Sequence, residues 1–109
     1  MPNHVTIDRR SLAFGRALAA RVSADPSLID QARATLARWT ATASPRVLPT
    51  LNEWAAVLDG PVAGVLAILT GDDERATRLR QSNPFAGLLP AEQRTAILLQ
   101  FIQDDPPSA

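Results

Sequence analysis

Leu79-Arg-Gln-Ser-Asn-Pro-Phe-Ala-Gly-Leu-Leu-Pro-Ala-Glu-Gln-Arg-Thr-Ala-Ile-Leu-Leu-Gln-Phe101 is the stretch whose reading decides how this chain folds. Its second half reads as a helix opened by Pro90, at a position where a missing N–H is tolerated. At ~100° per residue, Ile97, Phe101, Leu98, Ile102 and Leu99 spread over roughly 200° of that helix, while Glu92, Gln93, Gln100 and Gln103 share the remaining side. A stripe so wide exceeds what one layer of a small domain covers. Either the helix is central and wrapped by the others, or part of its apolar surface meets a partner, a second copy or another protein. Central packing is the preferred reading, so a buried C-terminal helix is expected. The turn before it, Asn83-Pro84-Phe85-Ala86-Gly87, carries an aromatic residue that reads first as a core plug. Exposed on a rigid loop, the same Phe would anchor a partner.

Working upstream, Asp72 or Asp73 caps a fifth helix reaching about Gln81, acidic in its first turn and bearing Arg75, Arg78 and Arg80 later, an order that complements the helix dipole. Its apolar content, Ala76 and Leu79, is thin, so residues 84–89 are expected to pin it. A fourth helix lies between Asp59-Gly60-Pro61 and Thr70-Gly71, with Val62, Val65, Leu66 and Leu69 on one face. Pro49 opens a third, carrying Leu51, Trp54, Ala55 and Leu58, and residues 41–49 form a loop because Pro49 forbids a continuous helix. Asp25-Pro26 starts a second helix whose stripe is Leu28, Ile29, Ala32, Leu36 and Trp39. Residues 8–23 form the first, with Leu12, Gly15, Leu18, Ala19 and Val22 on one arc and Arg10 and Arg21 on the solvated side. The connection between the first two is so short that an antiparallel hairpin is expected. Both tryptophans read as core or half-buried wedges.

The expected fold is therefore all-α, a compact single-domain bundle of five to six short helices over residues 8–103. A flexible N-terminus, 1–7, and a disordered tail, 104–109, flank it. A chain of 109 residues suits one core. Hydrophobic content of 46% against 20% charge excludes wholesale disorder.

Eleven basic and eleven acidic residues leave no net charge to draw the chain to nucleic acid or an anionic surface. Every basic residue is Arg, which reads first as the mark of a GC-rich genome and second as a side chain suited to paired hydrogen bonds with carboxylates at an interface. Without cysteine there is no disulfide, thiolate nucleophile or cysteine metal site, and His4, the only histidine, supports neither a triad nor a two-histidine site. Asp72-Asp73-Glu74 reads as capping rather than cation binding, since consecutive carboxylates on a helix start diverge. No glycine motif for phosphate or nucleophile elbow occurs. The chain is expected to have no catalytic residue, cofactor or metal and to be no enzyme. With neither a leader-like N-terminus nor a membrane-length apolar run, it is expected in the cytoplasm, without membrane contact.

The run Arg78-Leu-Arg-Gln-Ser-Asn-Pro-Phe-Ala-Gly-Leu-Leu-Pro-Ala-Glu-Gln-Arg94, preceded by Leu51-Asn-Glu-Trp54, resembles small all-helical bacterial proteins, uncharacterised or assigned as antitoxin components of toxin–antitoxin modules. The resemblance spans most of residues 11–101 and carries over no functional residue; it departs at Leu89, where the pattern has a capping Ser or Thr. It implies a protein that binds a cognate toxin. Together with the apolar surplus, it favours a non-enzymatic protein-binding module whose contacts are Arg75, Arg78, Arg80, Pro84, Phe85, Leu99 and Ile102, with a homodimer as a further form of self-contact. The alternative is a DNA-binding regulator in which residues 62–83 form a helix-turn-helix and Arg75, Thr77, Arg78, Arg80, Gln81 and Ser82 face the duplex. Against it stand Asp72, Asp73 and Glu74 at the end of the helix that would approach phosphate first.

Overall fold

In the computed structural model, which describes residues 4–104 and the side chains of residues 8–101, the longest helix is α1 (His4–Ala24). Five more follow: α2 (Leu28–Thr42), α3 (Leu48–Asp59), α4 (Val62–Thr70), α5 (Glu74–Arg80) and α6 (Ala91–Asp104), with one 3-10 turn at Ala86–Leu88. No strand occurs among the described residues, and the chain is a single all-α domain. α1 begins four residues before Asp8. Residues 1–3 and 105–109, parts of the expected flexible ends, lie outside the described residues.

The centre of the bundle is α1. It packs most closely against α4 and α6, then α5, and only lightly against α2 and the 3-10 turn. The arc expected from periodicity is the one buried: Leu18 and Val22 are fully covered, and Gly15 and Ala19 beside them are buried too. Gly15 explains the closeness of α1 to α4. A Cβ there would overlap the Leu69 carbonyl and lie 3.1 Å from Cδ of Arg80, so only hydrogen leaves room for the crossing.

α2 and α3 form the second layer. The Asp25 carboxylate accepts the Ser27 N–H (3.2 Å) and the Asp25 carbonyl accepts that of Leu28 (3.1 Å), so Asp25-Pro26 forms a turn that leads into α2, whose N-cap is Ser27, two residues later than the expected cap at Asp25. The partner of α2 differs from expectation: its buried stripe of Leu28, Ile29, Ala32 and Leu36 is used mainly against α3, and the hairpin with α1 is splayed. Arg33 fastens this pair by donating to the Leu58 carbonyl (2.7 Å) at the end of α3, 3.4 Å from the Asp59 carboxylate. Trp54 of α3 is fully buried, whereas Trp39, last in the α2 stripe, is 38% exposed.

The expectation of a buried C-terminal helix is overturned. No described residue of α6 is buried; Ile97 and Phe101 are half-covered, and Leu98 and Leu99 are 38% and 52% exposed. The physical reason lies in α1, whose small-residue arc already accepts α4 and α5, so α6 is left a lateral place on α1 around Ala17. Arg10 and Arg21, expected on a solvated face, are half-buried, and their Nε atoms are shielded from solvent.

Two glycines test this packing. Gly15→Ala should lower unfolding free energy by about 2 kcal/mol or more, as overpacking does. Gly64→Ala, with open space at its Cβ inside α4, should raise it by roughly 0.5–1 kcal/mol. Urea denaturation followed by circular dichroism reads both.

Candidate functional site

α5 and the turn after it, residues 73–89, form a clasp bonded to α3 and α1; it starts at Asp73, whose carboxylate accepts the Ala76 N–H (3.4 Å) and so opens α5. Ala76, Leu79 and Arg80, at spacings of three and four, then share one buried face. Arg80 is only 6% exposed. Its Nε donates to Ser11 Oγ on α1 (3.0 Å) and its Nη1 to the carbonyls of Ile68 (2.8 Å) and Gly71. Those carbonyls lie at the C-terminal end of α4, where backbone acceptors lack helical donors and the dipole favours a cation. Burial pushes the guanidinium pKa down, with Asp73, Asp8 and Asp72 acting the other way.

One residue earlier, the Leu79 carbonyl accepts the Trp54 indole N–H (2.7 Å), a buried bond from α3. The Trp54 ring tilts at 58° to that of Phe85, centroids 6.1 Å apart. Phe85 reaches it because Asn83 Oδ1 accepts the Phe85 N–H (2.9 Å), tightening the turn. Pro84 and Phe85 are both fully buried. Arg80, Pro84 and Phe85, expected at a partner surface, are thus corrected to interior residues: a guanidinium saturated by carbonyls and a plug beneath Trp54 have nothing to offer a partner. The spacing from Ala76 was the signal for Arg80, since it places Arg80 on the one apolar face of α5.

Arg75 and Arg78 are surface residues, and both approach Glu53 of α3, at 3.5 and 3.1 Å. The hydrogen bond from Arg78 is the main reason the Glu53 carboxyl lies below its usual range, and desolvation opposes it; the same bond raises Arg78. The stability this carboxylate adds is present above the ordinary Glu range and is lost as pH falls through its lowered value. For the helix-turn-helix arrangement, α5 supplies seven residues with Asp72, Asp73 and Glu74 exposed at its start, Arg80 inside, and Arg75 and Arg78 drawn to Glu53.

Of the remaining expected contacts, Leu99 is open to solvent and the Ile102 side chain lies outside the described ones. About 160° round α6 from Ile97, which packs against the core, Leu99 faces outward. Sequence reasoning missed two concave regions. One, about 430 Å³, lies between α1, the clasp turn and α6, where Arg94 donates to the Ala86 carbonyl (3.0 Å). The other, about 520 Å³, runs between α2 and α3 beside Arg33. Among the described residues no cluster of His, Cys, Asp or Glu is suited to hold a metal ion, and no helix is long and apolar enough to cross a membrane. Comparison with known families, curated proteins and solved structures finds no match to this chain.

Arginines on one short helix should therefore behave differently. Arg80→Ala strands the Ile68 and Gly71 carbonyls and should destabilise the fold by on the order of 3 kcal/mol. Arg78→Ala loses one exposed, solvent-screened ion pair and should leave stability nearly unchanged. Thermal and urea unfolding separate the two. Glu53→Gln should be near-neutral at pH 7 and flatten the fall in stability on acidification, read as the thermal midpoint against pH.

Proposed function

We propose that this chain is a non-enzymatic protein-binding module that acts through the outward face of α6, in the manner of a cytoplasmic bacterial antitoxin that masks the working surface of a cognate toxin. The observation that carries this reading is that Leu98 and Leu99 stand exposed on a helix held only along its other side. An isolated exposed leucine means little, but adjacent ones on a terminal helix with few charges form the kind of apolar anchor that interfaces use. The clasp supports the role indirectly: Arg94 ties the start of α6 to the Ala86 carbonyl, so the face is presented at a fixed angle. The contact set is accordingly Leu98, Leu99 and neighbouring α6 positions including Ile102, with Arg75 and Arg78 as charged outliers.

The test is co-expression with the product of the adjacent open reading frame. Wild-type chain should co-elute with it, and Leu99→Asp should weaken the complex about tenfold or more without changing the thermal midpoint of the free chain. Undiminished binding by a folded Leu98→Asp/Leu99→Asp double variant would remove α6 from the interface.

A further inference from the structure

The groove between α1, the clasp turn and α6 has a chemistry distinct from the outward face of α6. Phe14, Leu18 and Leu89 give it an apolar lining; Ser11, Asn83, Arg80 and Arg94 give it a polar edge. That edge is biased toward donors. Guanidinium groups carry no acceptor. Ser11 Oγ already accepts from Arg80, Asn83 Oδ1 from the Phe85 N–H, and the Ala86 carbonyl from Arg94. A ligand entering here meets donors together with acceptors that are engaged, above an apolar lining. Its volume, about 430 Å³, falls within the range of small-molecule sites.

We propose that this groove binds a small monocarboxylate with an apolar body, the carboxylate against Arg94 and the Asn83 amide and the hydrocarbon on Phe14, Leu18 and Leu89. A neutral polar head would leave the Arg94 guanidinium without a charged partner, and a cationic head would be repelled by it. Asp8, Asp72 and Asp73 offset part of the Arg80 field, so Arg94 is the cation that discriminates carboxylate from amide. Leu99 faces away from the groove whereas Leu98 lies one turn beyond Arg94, so Leu99→Asp reads the protein-binding face and Arg94→Gln reads the groove.

Hexanoate, hexanamide and acetate, titrated into the full chain and followed by 1H–15N NMR, test the proposal. Hexanoate should shift the signals of Ser11, Phe14, Gly87 and the Asn83 side-chain amide, and should bind about tenfold more tightly than either hexanamide or acetate. Arg94→Gln should weaken hexanoate about tenfold with the thermal midpoint unchanged, and Arg94→Lys, which keeps a cation, should recover part of the loss. Equal affinity for hexanoate and hexanamide, unchanged affinity in Arg94→Gln, or shifts confined to the α2–α3 groove would each overturn it.

Discussion

The guanidinium of Arg80 joins three helices. It belongs to α5, caps the spent carbonyls of α4 and bonds Ser11 of α1, so three segments far apart in the chain meet on one cation. Burying a charge is costly, and here the cost is offset by oxygen dipoles already oriented by a helix terminus. The aliphatic part of the same side chain runs past Gly15, where hydrogen is all the space permits. A seven-residue helix is marginal in isolation. Here α5 survives because Arg80 holds it from one side and Trp54 binds its Leu79 carbonyl from another.

From this junction the molecule divides into a determined half and an open one. Around α1, α3, α4 and α5 Trp54 and Arg80 find partners inside and the aromatic plug fills what remains, although the shielded Nε atoms of Arg10 and Arg21 on α1 have none. α6 is different, since it leans on α1 with Ile97 against the core and shows leucine to solvent. For the binding role proposed above, such a junction supplies position and the under-covered helix supplies apolar area.

Much of this architecture is legible in the residues. Asp25-Pro26, Pro49, Gly60-Pro61 and Asp73 mark helix starts by mechanisms that act locally, through caps, turns and missing donors, and the structure keeps each of them, the first as a turn ahead of the cap. The apolar arc of α1 is equally readable. Which helix occupies the centre is not, because the wide apolar surface of α6 points to that helix, whereas closeness of approach through Gly15 and Ala19 selects α1. Arg80 is hidden for a related reason: its charge suggests a surface place, while its register with Ala76 points inward. Trp39 and Trp54 occupy comparable stripes and end in different surroundings, since a stripe says which way a side chain points and nothing about whether a neighbour extends far enough to cover it. The groove beside Arg94 joins residues from three separate segments, which no local pattern encodes.

That separation of the tryptophans gives the chain a built-in pair of optical probes. The Trp54 indole is enclosed, hydrogen-bonded and adjacent to Phe85, at the seam of α3, α5 and the clasp. Trp39 lies partly in water near Val47, at the far end of α2. With no tyrosine in the chain, intrinsic emission comes almost wholly from these two indoles. A soluble quencher reaches Trp39 and leaves Trp54 dark to it until the clasp opens, so the unquenched fraction of the light reports on the junction alone.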